Sequence, residues 1–244
     1  MQEAARRLRA RRLKLLLFDL DGTLLRVEMH RFIPAYLAGI AARLDGELPP
    51  ADFQRLARKG IRLLLSAGDG RMTNAERFFG FLSESSGLPV ARLARAVEDF
   101  CRDGLATLRP LVEAVPTASA LLDAAFATGC RVVVATNPVF PKAAIDARLA
   151  WAGLDGYPFD LVTDWDRSRY CKPQQDYFHD LLRHFAVAPE QVLMIGNDTG
   201  HDMAAGQIGI ATFLVDSWLI EREESFPADL RGGHAELLTL LRCL

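Results

Sequence analysis

The feature that most constrains this chain is an alternation of short apolar runs, each closed by polar residues, with stretches of helical periodicity. In KLLLFDLDGTLL the apolar run 15–18 meets Asp19, Asp21 and Gly22 at once. From residue 109 onward the pattern reads helix 117–127, strand 131–135, helix 142–152, a short strand 160–163 and helix 174–185. Strand 192–195, a short helix near 203 and strand 210–215 complete it. Strands joined through helices of about ten residues cross over and run parallel, covered on both faces. The chain is therefore expected to form an α/β fold, a Rossmann-like, doubly wound, mostly parallel sheet. Ligands of such sheets bind at the carboxyl ends of the strands.

The first strand stands apart from the rest. Residues 27–109 show no strand alternation; Phe32, Tyr36, Leu37, Ile40 and Leu44 mark one apolar helix face, and further helices are expected over 52–65, 73–83 and 90–108. This predicts an inserted all-helical domain at 27–109, with the sheet-forming core divided into 14–26 and 110–244. Residues 1–13 carry Arg6, Arg7, Arg9, Arg11 and Arg12; the segment can be helical and reads as a basic, frayed and solvated extension, with a nucleic-acid or membrane-surface arm as the alternative.

Composition excludes more than it suggests. At 244 residues and 50% hydrophobic, the chain can build a large core. Its 29 basic and 31 acidic side chains give a net charge of -2, which argues against nucleic acid as a partner. The four cysteines, Cys101, Cys130, Cys171 and Cys243, are far apart and read as reduced thiols of a cytoplasmic protein. No apolar run approaches the roughly 18 residues of a membrane span, so no membrane partner is expected. The sequence does not decide the oligomeric state.

The chemistry-bearing residues gather just beyond the predicted strands. Asp19 and Asp21, two apart on extended chain, can face one pocket. Their repulsion requires a cation between them or a proton held on one, which suits either a divalent metal or a nucleophile beside a proton donor. After VLMIG come Asn197, Asp198, His201 and Asp202, whose acids are one helical turn apart; hard oxygen ligands without a His and Cys cluster favour Mg²⁺ over zinc. His201 reads as a neighbour of that site rather than a ligand. Thr136 and Asn137 after VVVA offer a hydroxyl and an amide to a phosphoryl oxygen, and Lys172 before Pro173 offers an ammonium. Singly these signals are weak. Their shared position beyond the apolar strands of one sheet is the argument.

On these motifs the sequence resembles the haloacid dehalogenase-like hydrolases, mostly Mg²⁺-dependent phosphatases. DLDGTL at Asp19 to Leu24, Thr136 in ATN, Lys172 in CKP and GNDTGHD at Gly196 to Asp202 match the four motifs of that family in order. The resemblance implies that Asp19 attacks phosphorus and that Asp21 protonates the leaving oxygen and then activates water. It also implies that Asp19, the backbone carbonyl of Asp21 and Asp198 hold Mg²⁺, assisted by Asp202. Dehalogenase members usually lack an acid at the position of Asp21, since a halide leaves without a proton. The expected substrate is a small phosphorylated metabolite, with a sugar phosphomutase or a non-catalytic phosphate-binding protein as alternatives. The resemblance further implies that the helical insert at 27–109 is a cap domain closing over a catalytic core formed by 14–26 and 110–244; in the cap, Arg71, His30 and Arg31 are the candidate substrate contacts.

Overall fold

Leu15, Leu16, Leu17 and Phe18 are all fully buried, and a strand buried on both faces belongs inside a covered sheet. The computed structural model, which describes residues 1–66 and 68–244, places it centrally. β1 (Leu15–Phe18) pairs in parallel with β4 (Arg131–Val134) on one side and with β6 (Val192–Gly196) on the other. β5 (Leu161–Val162) extends the sheet beyond β4; β7 (Ala211–Val215) and β8 (Leu230–Gly232) extend it beyond β6, all in parallel. From β1 the chain moves one way to β4 and β5, then returns to the other side for β6. The reversal opens a crevice at the carboxyl end of β1.

Alternation along β1 divides the core into two layers. Leu16 and Phe18 pack with α6 (Ala118–Ala127), α7 (Lys142–Trp151) and α9 (His234–Arg242) through Leu121, Ile145 and Leu240. Leu15 and Leu17 face the opposite way, onto Phe178 and Leu181 of α8 (Gln175–Phe185).

The inserted helices leave the core through β2 (Leu25–Val27) and return through β3 (Val112–Ala114), which pair antiparallel as a two-stranded neck. Between them lie α2 (Met29–Ala41), α3 (Pro50–Leu65), α4 (Asn74–Ser86) and α5 (Val90–Asp99). α4 begins on a capping box, with the Glu76 amide donating to Thr73 Oγ1 and the Thr73 amide to the Glu76 carboxylate. It stops at Gly87, whose φ of 77° is the left-handed geometry glycine accepts.

Three expectations change. The helix expected over 90–108 is α-helical only to Asp99, then runs through a π turn (Phe100–Gly104) and a 3₁₀ segment (Leu105–Leu111). Gly104 lowers helix propensity there, and Pro110 lacks an amide to donate. The basic amino-terminal segment is not frayed. It forms α1 (Gln2–Ala10), which buries Ala5 and Leu8 and packs on α9, leaving its arginines on the outer face. The three-residue strands of the neck, and β8, are too short to show alternation in sequence.

The cap is seated on the core by polar contacts. Asn74, fully buried at the start of α4, donates through Nδ2 to the carbonyls of Pro138 at 3.1 Å and Tyr170 at 3.4 Å. Its backbone amide donates to the Ser168 carbonyl. Gln174 reaches the other way, from Nε2 to the carbonyls of Leu64 and Leu65 at the end of α3. Replacing Asn74 by Ala removes buried hydrogen bonds and leaves core carbonyls without partners. It is expected to lower the unfolding free energy by about 1–3 kcal/mol in urea denaturation, with the loss in midpoint rather than slope.

Candidate active site

Three adjacent strands deliver the acidic and hydroxyl side chains. Asp19 follows β1 directly, its amide donating to the Ile195 carbonyl of β6 at 2.8 Å. Thr136 follows β4, and its carbonyl accepts from Thr163 Oγ1 at 2.7 Å and Tyr177 Oη at 3.1 Å, which fixes the turn. Asp198 follows β6. Lys172 differs from the expectation: it sits on the long loop between β5 and α8, ten residues past Val162, rather than at a strand end.

Lys172 is the hub. Its Nζ, on a side chain 2% exposed, lies 2.7 Å from Asp19 Oδ1 and 2.6 Å from Asp202 Oδ1. Burial works against its charge, but the two carboxylates overcome this and hold it protonated. Burial likewise raises the pKa of Asp19 and Asp202, with Lys172 opposing the rise. The Asp202 carboxylate also accepts from the Asp198 amide at 3.0 Å. That approach is possible because Gly196 has no side chain: a Cβ there would stand 2.2 Å from Asp202 Oδ2. Gly22, at φ 90°, answers the same need after β1, since a Cβ would come within 2.1 Å of the Asn197 amide.

Two arginines complete the charge balance, and neither is apparent in the sequence. Arg148 of α7 is fully buried and grips Asp21 with Nη1 at 2.8 Å from both carboxylate oxygens. Its guanidinium lies over the rings of Phe32 at 5.5 Å and Phe140 at 4.8 Å, so it joins the first cap helix, the turn after β4 and the Asp21 carboxylate. Burial raises the pKa of Asp21 against the pull of Arg148. Arg222, from the loop after β7, donates from Nε at 2.9 Å and Nη2 at 2.6 Å to Asp198 Oδ2. Asp198 Oδ1 accepts from the amides of Gly200 and His201, and these bonds with Arg222 overcome burial and hold its pKa below the usual carboxylate value. In sequence, Arg148 is one polar position on an otherwise ordinary helix and Arg222 one charge in a loop.

Asp19, Asp21, Thr136, Asn137, Lys172, Asn197, Asp198, His201 and Asp202 all line one cavity of about 230 Å³. Asn137 is committed to bracing it: Oδ1 accepts from the Lys172 amide at 2.8 Å and Nδ2 donates to His201 Nδ1 at 3.1 Å. Burial lowers the His201 pKa to about 4, so the ring is neutral and its Nδ1 can accept. The cap candidates are not brought in. His30 and Arg31 are exposed beside Glu28, and Arg71 is exposed beside Asp69. The cap instead presents Met29 and Ile33 of α2 and Ile61 and Leu65 of α3 to the cavity.

The oxygen donors suit a hard cation. Carboxylates dominate, and the buried Asn197 Oδ1 has no hydrogen-bond partner. Among the described residues, however, no three acid, histidine or cysteine side chains gather as a ready-made cage. Lys172 stands between Asp19 and Asp202, and Arg222 covers Asp198.

A sequence model of the haloacid dehalogenase-like hydrolases matches residues 13–208. The glyceraldehyde 3-phosphate phosphatase of Methanothermobacter thermautotrophicus is 28% identical, over 86% of this chain and 89% of its own. The phosphoserine phosphatase of Thermus thermophilus is 27% identical, over 95% and 100%. The crystal structure of a phosphatase from Thermococcus onnurineus superposes with a TM-score of 0.58 at 19% identity, covering 94% of this chain and 98% of that one. The L-2-haloacid dehalogenase of Xanthobacter autotrophicus gives 0.56 at 17%, with the same coverage.

Replacing Arg148 by Met leaves the Asp21 carboxylate without its partner in a largely buried place. The variant is expected to lose about 3 kcal/mol of stability. A loss below about 1 kcal/mol in urea denaturation would show that water or another cation replaces the guanidinium.

Proposed function

The chain belongs to the haloacid dehalogenase-like hydrolases, and from that membership we propose that it is a Mg²⁺-dependent phosphatase acting on a small phosphomonoester through an aspartyl-phosphate at Asp19. The observation that carries the reading is the differing environment of two neighbouring carboxylates. Asp19 shares the Lys172 ammonium with Asp202, whereas Asp21 is held by Arg148; burial raises the pKa of both, so the distinction lies in their partners. Two neighbouring carboxylates with separate cationic partners supply the two groups that an aspartyl-phosphate mechanism needs, a nucleophile and a proton carrier. Two relatives named as phosphatases support the choice of a phosphomonoester.

In the first half-reaction the phosphoryl group enters between Lys172 and Thr136. An oxygen of Asp19 bonds to phosphorus as the ester P–O bond breaks, and Asp21 gives its proton to the departing alkoxide. In the second, Asp21 takes a proton from water, the water oxygen bonds to phosphorus, and the Asp19 carboxylate is released with inorganic phosphate. Lys172 balances the negative charge of the phosphoryl oxygens throughout. Asn137 keeps the Lys172 loop in place. Asp19, the backbone carbonyl of Asp21 and Asp198 would hold Mg²⁺, with Asp202 assisting. When bound, the ion supplies further neutralisation of the phosphoryl oxygens and favours ionised Asp19.

Three outcomes test this by release of inorganic phosphate from small phosphoesters. Asp21→Asn is expected to lose about 10²–10⁴ in kcat, the usual worth of a positioned acid-base group; a loss under tenfold contradicts its role. Asp19→Asn should leave no turnover above the uncatalysed rate. Chelation should abolish phosphate release and added Mg²⁺ restore it, whereas activity persisting through chelation removes the metal from the proposal. Phosphate recovered on a second hydroxyl instead of in solution would make the chain a transferase.

A further inference from the structure

The wall facing the phosphoryl position is apolar. Met29 and Ile33 are four apart on α2, and Ile61 and Leu65 are four apart on α3, so each pair projects from one helix face into the cavity. Val139 and Phe140 continue the surface from the core side. All but Phe140 are only partly buried: they pack on the core and keep part of their surface exposed. Among the described residues, no charged cap side chain lines the cavity. The polar groups that do line it belong to the core, and most are occupied: Arg222 on Asp198, Asn137 on Lys172 and His201, and Lys172 on two carboxylates.

The lining belongs to a seated cap. Gln174 bonds the carbonyl of Leu65 itself, two residues beyond Lys172, and Asn74 is fully buried against the loops that precede Lys172 and follow Thr136. Ile61 and Leu65 are thereby held over the site. Against this wall a hydroxyl, carboxylate or ammonium on the leaving alcohol meets no polar side chain, the unpartnered Asn197 Oδ1 lying on the core side, whereas methylene groups gain from the burial.

Resting on the phosphatase reading, we propose that the substrate is a phosphomonoester of a short alcohol with an apolar body, and that Met29, Ile33, Ile61 and Leu65 select it against polyol, amino-acid and carboxylate-bearing esters. Matched skeletons test this, because primary alkyl esters share nearly the same chemistry at phosphorus and differ in what meets the cap. Phosphate release should be measured with Mg²⁺ for methyl, ethyl, propyl and butyl phosphate, then for propyl phosphate against glycerol 1-phosphate and phosphoserine, and ethyl phosphate against phosphoglycolate. We expect kcat/KM to rise about three- to fourfold per methylene until the cavity is filled. Propyl phosphate should exceed glycerol 1-phosphate and phosphoserine by roughly tenfold or more, and ethyl phosphate should exceed phosphoglycolate by at least as much. Ile61→Ala and Leu65→Ala should flatten the chain-length series, lowering kcat/KM for butyl phosphate several-fold more than for methyl phosphate; an unchanged slope overturns the role of these two side chains. Equal or better turnover of the polar member in either matched set overturns the substrate class and leaves the phosphatase standing. No phosphate from any ester, p-nitrophenyl phosphate included, overturns both.

Discussion

One ammonium holds this site together. Lys172 Nζ lies within 2.7 Å of Asp19 and 2.6 Å of Asp202, so acids from the ends of two adjacent strands share a single cation. Two carboxylates this deeply buried would repel each other and lose their hydration; a buried cation between them offsets both costs. The arrangement needs β1 and β6 to be neighbours, the Asp202 turn to fold back against Gly196, and a loop to bring Lys172 across from α8. Each is present in the sheet order, in the missing side chain at Gly196 and in the Asn137 bonds to the Lys172 backbone.

The second charge pair ties the cap to the chemistry. Arg148 holds Asp21 while its guanidinium lies over the rings of Phe32 of the cap and Phe140 of the core. Phe32 and Tyr36 also meet Phe140 edge-on, at 5.9 and 5.2 Å between ring centroids. A shift of α2 relative to the core would therefore move the packing around Arg148, and with it the Asp21 carboxylate. The cap contributes an apolar wall and a mechanical link; the charged groups all come from the core.

The core of this arrangement was legible in the sequence for a simple reason. Asp19, Thr136 and Asp198 each come just after a run of four or five apolar residues, and runs so short, closed by polar and turn residues, read as buried strands of a covered sheet. Lys172 was legible as a rare lysine beside proline, although its loop position was not. Arg148 and Arg222 were hidden because their partners lie 127 and 24 residues away, a distance that no helical or strand period reports. Arg71, His30 and Arg31 drew attention as charges near the expected cleft, yet their helices and loops turn them outward to pair locally. What lines the cap side is apolar, and apolar residues at helical spacing give the same signal whether they fill a core or face a ligand. The amino-terminal helix shows the converse: its charges implied solvent, while two small apolar positions, Ala5 and Leu8, sufficed to dock it.

The central claim is that Asp19 forms a bond to phosphorus. Rapid acid quenching of the full chain mixed with Mg²⁺ and a radiolabelled phosphomonoester, followed by peptide mapping, tests it most directly. The account predicts label on the peptide carrying Asp19, appearing before free phosphate and chasing into it. Free phosphate released with no label on Asp19 at any quench time, or label on another residue, would contradict it.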